Sequence, residues 1–311
     1  MAQVSVIIPA RDAERTLADA LAGVGRAAEG IVAELIVVDN GSRDGTAELA
    51  ERLGAAVVRR ERGEGPGAAR NAGMHAASAD RVAFVDADCR PRPRWLRAGL
   101  AALEHADLVQ GAVCAQPGAG PFDRTVSVPA ASGLFEAASL FVRREIALRV
   151  GGFPGGLEPP GQAPFGEDAL FGWAVARAGG RVGWCPEAIV EHVVIARDAR
   201  AFVAERTRLA LFPELVARIP ELRDGRLFAR WFLSRRSAAF DAALCGALLA
   251  TGTRRRSPLL AAAPYAALVA REARAWGPRI GPRVAAAGLL ADAVGASALA
   301  RGSVRSGTAV L

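Results

Sequence analysis

Short runs of branched and aromatic residues recur through the first half of the chain, each followed by a segment with helical spacing. This alternation constrains the fold more than any other feature. Residues 4–8, 34–38, 55–59 and 82–85 read as strands, with 14–25, 47–53 and 68–77 as the helices between them. Strands separated by helices of this length predict an α/β unit with a doubly wound, mainly parallel sheet. In such sheets ligands bind beyond the carboxyl ends of the strands.

The fourth strand carries the sharpest chemical signal. Val82-Ala83-Phe84-Val85 runs directly into Asp86-Ala87-Asp88-Cys89. Side chains alternate along a strand, so Asp86 and Asp88 are expected on one face with Ala87 turned away. Two carboxylates this close repel unless positive charge joins them. A divalent cation carrying a diphosphate fits, since such metals take one or two protein oxygens and fill the rest with phosphate and water. The competing reading is a polar strand end leading to the helix that starts near Pro93.

The turn after the first strand excludes two alternatives. A dinucleotide site needs G-x-G-x-x-G there, whereas this chain has Pro9-Ala10-Arg11-Asp12. A P-loop or a lysine-dependent nucleotidyltransferase needs a lysine, and all 39 basic residues are Arg.

The motifs are most informative in order. Val4-Ser5-Val6-Ile7-Ile8-Pro9-Ala10 is followed by Ile36-Val37-Val38-Asp39-Asn40-Gly41-Ser42, Ala69-Arg70-Asn71-Ala72-Gly73 and Phe84-Val85-Asp86-Ala87-Asp88. Leu140-Phe141-Val142-Arg143-Arg144, Val150-Gly151-Gly152-Phe153, Gly166-Glu167-Asp168 and the stretch from Pro186 to His192 complete the set. Over roughly residues 3–195 the chain resembles the inverting family 2 glycosyltransferases of GT-A fold. That resemblance implies a Rossmann-like GT-A domain that takes a nucleoside-diphosphate sugar and a divalent metal, Mg2+ or Mn2+. It implies a nucleotide pocket made by Pro9, Ala10, Arg11, Asp39, Arg70 and Asp86. Asp88 would bind the metal, with Asp86 facing the metal or the ribose and His192 as a third contact. Asp168 would be the general base that deprotonates an acceptor hydroxyl, with Glu167 orienting the site. Without the resemblance, Asp39 reads as an Asx-turn residue, the acidic pair as a helix start favoured by the dipole, and His192 as a packed histidine.

The chain departs from the family at three places. Cys89 stands where many relatives carry another Asp, Ser139 where many carry Asn, and Arg11 where the residue is often aromatic. Processive relatives carry a Q-x-x-R-W pattern; here Arg230-Trp231 is present but Leu227 fills the glutamine position, so a single transfer per encounter is expected. A second reading keeps the fold without catalysis, as a sugar-nucleotide- or glycan-binding protein.

Charge divides the chain. Residues 1–196 hold 20 Arg and 24 acids, a net −4, and residues 197–311 hold 19 Arg and 8 acids, a net +11. The boundary expected near Ala196 separates a sugar-nucleotide-binding and catalytic domain, 1–196, from a basic helical region, 197–311. In that region 237–250 and 258–270 are largely apolar runs of 14 and 13 residues, separated by Arg254-Arg255-Arg256. Another, 284–300, is 17 residues long and contains Asp292. All fall short of the ~20 residues that span a bilayer. Helices lying at an interface are expected, with arginines drawn to anionic headgroups. The expected acceptor is a glycan or a lipid-linked hydroxyl, and no nucleic-acid motif is present. Four scattered cysteines and an N-terminus without a leader pattern fit a cytoplasmic enzyme, peripheral at the inner face of the cell membrane.

Overall fold

A computed structural model describes residues 2–61, 63–157 and 164–311, and the chain forms two compact units. The first comprises Met1–Gly118 with Thr125–Val194, and the second Ala119–Arg124 with Ile195–Leu311.

The first unit begins β1 (Val4–Ala10), α1 (Leu17–Ala27), β2 (Ala33–Asn40), α2 (Thr46–Arg52), β3 (Ala56–Arg60), α3 (Pro66–Ala76) and β4 (Arg81–Phe84). It continues β5 (Cys89–Pro91), α4 (Trp95–Leu103), β6 (Leu108–Ala115), β7 (Leu140–Arg143), α5 (Arg144–Arg149), α6 (Glu167–Arg177) and β8 (Val182–His192). Its eight strands form one sheet in the order β3-β2-β1-β4-β7-β6-β8-β5.

The sheet is mixed, with six of its eight strands running the same way. β3, β2, β1 and β4 run parallel, but β7 is antiparallel to β4 and β6, and β5 is antiparallel to β8. Parallel neighbours need a crossover, usually a helix. β7 is reached from β6 through a connection carrying a single 3₁₀ turn, Ala137–Ser139, so it enters at the edge where β6 leaves. The consequence is functional: the start of β7 lies at the carboxyl edge of β4, with Leu140 opposite Phe84.

The alternation of side chains builds a core on each face. Val4, Val6 and Ile8 join Leu17, Leu21 and Val24 of α1 and Trp95, Leu96 and Leu103 of α4. Ile7 faces the other way, with Met74 of α3, Ile146 of α5 and Phe171 and Val175 of α6. Full burial of a side chain such as Phe84, Phe141 or Phe171 contributes roughly 1.5–3 kcal/mol. Two glycines set the depth of the helices: a Cβ on Gly73 would lie 2.4 Å from Ile7 Cγ2, and one on Gly99 would lie 2.2 Å from the Phe141 ring.

The second unit is helical: α7 (Ala199–Glu205), a 3₁₀ turn (Arg206–Leu211), α8 (Phe212–Arg218), α9 (Leu222–Gly225) and α10 (Arg235–Thr253) come first. A 3₁₀ segment (Ser257–Ala262), α11 (Ala263–Ala275) and α12 (Gly277–Ser306) follow. The helical stretch that opens at Ala199 is broken before Pro213, which lacks an N–H and is accommodated in the first turn of α8. α12 is longer than the apolar run that marks it, 30 residues through Pro282, and by length and composition it could cross a membrane. It also packs as the centre of its unit. A Cβ on Gly281 or Gly302 would come within 2.2 Å of the Ala273 or Ala210 carbonyl, and Asp292 accepts hydrogen bonds from Arg236 Nε and the Tyr265 hydroxyl, both at 2.7 Å.

Candidate active site

The sheet brings the acidic motifs to one edge. β1, β2 and β4 end together there, with Ala10 paired to Asp39. β8 runs parallel to β6, and both run with β4 because β7 reverses between them, so His192 at the end of β8 reaches the same edge. The turns after β1 and β2 are sewn to one another. Asp12 N–H donates to Ser42 Oγ at 3.0 Å, Arg43 N–H to Asp12 Oδ1 at 2.8 Å, and Ala13 N–H to Thr46 Oγ1 at 2.8 Å. These bonds fix Pro9, Ala10 and Arg11 beside Asp39. Asp39 is buried and accepts from Ser42 N–H at 3.1 Å, and the exposed Arg11 side chain lies against Gly63.

Arg70, on α3 and 3% exposed, is the hub of the site. Its Nη1 donates to Asp168 Oδ1 and its Nη2 to Asp86 Oδ1, each at 2.8 Å, while Glu167 Oε1 stands 4.0 Å from Nη1. Three carboxylates thus share one positive charge. Burial lowers the guanidinium's proton affinity, but Asp168, Asp86 and Glu167 more than reverse this, so Arg70 stays charged. Burial, with Glu167 and Asp86 adding to it against the pull of Arg70, pushes Asp168 up to about 7. The second oxygen of Asp168 accepts from Ala137 N–H at 3.0 Å, the bond that the reversed entry of β7 makes possible. With its side chain 23% exposed and a second lone pair on each oxygen, Asp168 can still receive a proton from outside.

Phe153 holds Arg70 from below. Its ring stacks on Phe171 with centroids 4.2 Å apart, meets Phe84 edge-on at 5.2 Å, and carries the Arg70 guanidinium at 5.4 Å. Asn71, the next residue after the hub, clamps Phe153 through both backbone groups at 2.8 Å. Gly151 and Gly152, both at positive φ, make the turn that delivers Phe153 to this clamp.

Asp86 and Asp88 do not share a face. Strand pairing by β4 ends at Phe84, and Cys89 N–H donates to the Asp86 carbonyl at 3.0 Å, so the four residues form a turn. Asp86 turns to Arg70 and Asp88 to His192, whose Nε2 lies 3.4 Å from Asp88 Oδ2. His192 Nδ1 is 2.7 Å from the Val193 carbonyl. A carbonyl only accepts, so in the neutral ring Nδ1 carries the hydrogen and Nε2 presents a lone pair to the carboxylate. In that form two acceptors face one another, which either a proton on Nε2 or a cation between them satisfies, and a backbone-oriented histidine is the usual arrangement for a metal ligand. The donor set fits a divalent ion. Cys89 Sγ also lies in this group, whose potential ligand atoms are within 4.8 Å of one another. Burial, aided by Asp86 and Asp88, pushes its thiol up.

All ten residues singled out from the sequence lie in the first unit. Arg70, Asp86, Glu167, Asp168 form one cluster, Asp88 and His192 a second, and Pro9, Ala10, Arg11 and Asp39 the wall at the ends of β1 and β2. The sequence reading gave no role to Asn71, Phe153 or the Ala137 N–H. Asn71 and Phe153 belong to quoted motifs, and the Gly-Gly pair before Phe153 was the available signal. The Ala137 contact depends on the direction of β7, which carries no local mark.

Residues 5–156 match the family described as Glycosyl transferase family 2. Among curated relatives, glycosyltransferase AglE of Haloferax volcanii is 33% identical over 138 residues, covering 39% of this chain and 45% of that protein. The pre-mycofactocin glycosyltransferase of Mycobacterium tuberculosis is 30% identical over 215 residues, covering 61% of this chain and 42% of that protein. The chain therefore spans less than half the length of these two relatives. Among solved structures, the mannosyltransferase PcManGT of Pyrobaculum calidifontis, in complex with GDP-Man and Mn2+, superimposes with a TM-score of 0.57 at 20% identity. That match covers 97% of this chain and 87% of the other, and it supports a common fold.

Proposed function

Because the chain belongs, through residues 5–156, to the family 2 glycosyltransferases, we propose that it transfers one sugar from a nucleoside-diphosphate donor to an acceptor hydroxyl, inverting the anomeric configuration. The observation that carries this reading is Asp168, a carboxylate at the sheet edge with raised proton affinity, fixed at 2.8 Å by an arginine that also holds Asp86. A general base works best with a pKa near the operating pH and an orientation that does not wander. Asp168 has both. It removes the proton of the acceptor hydroxyl as that oxygen attacks the anomeric carbon and the bond to the diphosphate oxygen breaks.

The remaining roles follow from placement. Asp39, Pro9 and Ala10 form the wall for the nucleobase, with Arg11 at its rim. Arg70 keeps Asp86 and Asp168 apart and oriented, and Glu167 adds the negative charge that raises Asp168. Asp88 and His192 would hold a divalent ion, Mg2+ or Mn2+, which when bound offsets the charge developing on the leaving diphosphate. The acceptor class is a glycan or lipid-linked hydroxyl.

Asp168→Asn tests the reading. Asn keeps size and hydrogen bonding but cannot take the proton, so turnover should fall roughly 10²–10⁴-fold, with donor affinity by calorimetry nearly unchanged. Retained turnover would remove Asp168 from the base role. Lost donor affinity would place it in the donor site and make Glu167 the candidate base.

A further inference from the structure

α10 and the 3₁₀ segment after it form a hairpin whose surface is unusual for a protein in water. The two arms lie close: a Cβ on Gly246 would come within 2.4 Å of the Pro258 carbonyl and 3.0 Å of the Ala261 side chain. Leu244, Leu248 and Leu249 on one arm and Leu259 and Leu260 on the other are all exposed, Leu248 by 64% and Leu260 by 76%. Isolated exposed leucines need no explanation, but five on one short hairpin make a patch of the kind that marks an interaction surface.

Arg254, Arg255 and Arg256 connect the arms. All three are exposed and, among the described residues, none has an acidic partner. Arg254 adopts φ 53°, ending α10 in the left-handed conformation that glycine favours at a helix C-terminus. An arginine there serves the fold less well than glycine, so its charge is the feature to account for.

We propose that this hairpin is the docking surface for an anionic lipid bilayer, lying in the plane of the interface. The leucines enter the boundary between headgroups and acyl chains, and the arginines extend along it to the lipid phosphates. Charge selects this occupant over a second copy of the chain. A second copy would bring another basic unit, net +11 over residues 197–311, against this one, whereas lipid phosphates neutralise the triplet. The inference rests on this surface alone and is independent of the transferase reading.

The experiment is flotation of the full chain with phosphatidylcholine vesicles, with and without about 30% phosphatidylglycerol. Wild-type protein should float with the anionic vesicles, and this binding should decline steeply as salt rises. An arginine near an anionic leaflet contributes roughly fivefold, so the triple change Arg254→Gln, Arg255→Gln and Arg256→Gln should weaken partition roughly a hundredfold. Leu248→Glu with Leu260→Glu should also release the protein, with its thermal unfolding unchanged because both side chains are exposed. Wild-type partition that ignores phosphatidylglycerol and salt, or variants that float like wild type, would overturn the proposal. Sedimentation showing a dimer that the leucine changes dissociate, without vesicle binding by either protein, would assign the patch to a second copy and overturn it equally.

Discussion

Arg70 and Arg236 are each the centre of a carboxylate cluster, one in each unit, and the clusters differ in how they are compensated. Arg236 donates to Asp292 and Glu272, each at 2.7 Å, and the Tyr265 hydroxyl adds a further bond to Asp292. One charge faces two carboxylates, and a neutral donor helps close the network. Arg70 faces three carboxylates, two of which, Asp86 and Asp168, have side chains 30% and 23% exposed at the sheet edge. The Arg236 network joins α10, α11 and α12 and is the more fully compensated, although Arg236 and Glu272 are 32% and 40% exposed. The Arg70 network keeps more surplus negative charge at the sheet edge and raises the proton affinity of Asp168, as functional sites do.

The largest expected effect separates the two hubs. Arg70→Met leaves three carboxylates uncompensated and should cost about 3–5 kcal/mol of stability, along with all measurable transfer. The loss should shrink as pH falls, because carboxylates left without the arginine bind protons more readily in the folded than in the unfolded chain. Arg236→Met should cost about 1–3 kcal/mol and leave turnover per folded molecule at the wild-type level. Urea unfolding with a transfer assay measures both, and equal costs or lost turnover in Arg236→Met would break the contrast.

Metal removal is next. EDTA, or Asp88→Ala, should lower affinity for a nucleoside diphosphate by at least about tenfold, and His192→Ala should weaken the metal requirement's midpoint by roughly 10–100-fold. Calorimetry with and without Mn2+ reads this directly. Equal diphosphate affinity with and without EDTA would remove the cation from between Asp88 and His192. Asp168 gives a smaller, graded effect. A base held at about 7 must be deprotonated to act, so kcat/KM should rise with pH and level off above about 7. Below that point it should fall roughly tenfold per pH unit. A flat profile from pH about 5 to 8 would exclude a group with this titration.

What the sequence disclosed follows the same division. The strands over 4–8, 34–38 and 82–85 were legible because their apolar runs are local and their helical connections regular. Asp39, Arg70, Asp88, Asp168 and His192 were legible because ordered motifs carry them. The pairing of Asp86 was not, since it depends on β4 ending one residue sooner than its apolar run, at Phe84 rather than Val85. Nor was the reversal of β7, because strand direction is set by what lies across the sheet. In the second unit α12 outran its apolar run because small residues, Gly281 and Gly302, let polar and charged turns continue against neighbouring backbone.

The smallest effect is expected at Cys89, and it tests how few protein ligands the cation site needs. Its sulfur lies among the donor atoms of Asp88 and His192, all within 4.8 Å of one another, so proximity alone would make it a third ligand. A thiol ligates as the thiolate, a soft donor that Mg2+ and Mn2+ take up less readily than oxygen or imidazole, and Cys89 Sγ lies 3.8 Å from Asp88 Oδ1. Cys89→Ala should therefore change Mn2+ affinity by well under the ~10-fold that accompanies loss of a coordinating partner. Its cost should instead be the small packing loss of one buried sulfur, about 1 kcal/mol. Metal choice gives a second reading of the same point. Oxygen and imidazole donors suit Mg2+ or Mn2+, whereas a thiolate draws softer ions. Activity restored to EDTA-treated protein by Mn2+ but not Cd2+, and equally in Cys89→Ala, would leave Asp88 and His192 as the protein's donors. A tenfold loss of Mn2+ affinity in Cys89→Ala, with unfolding unchanged, would make the sulfur a ligand and the two-residue site incomplete.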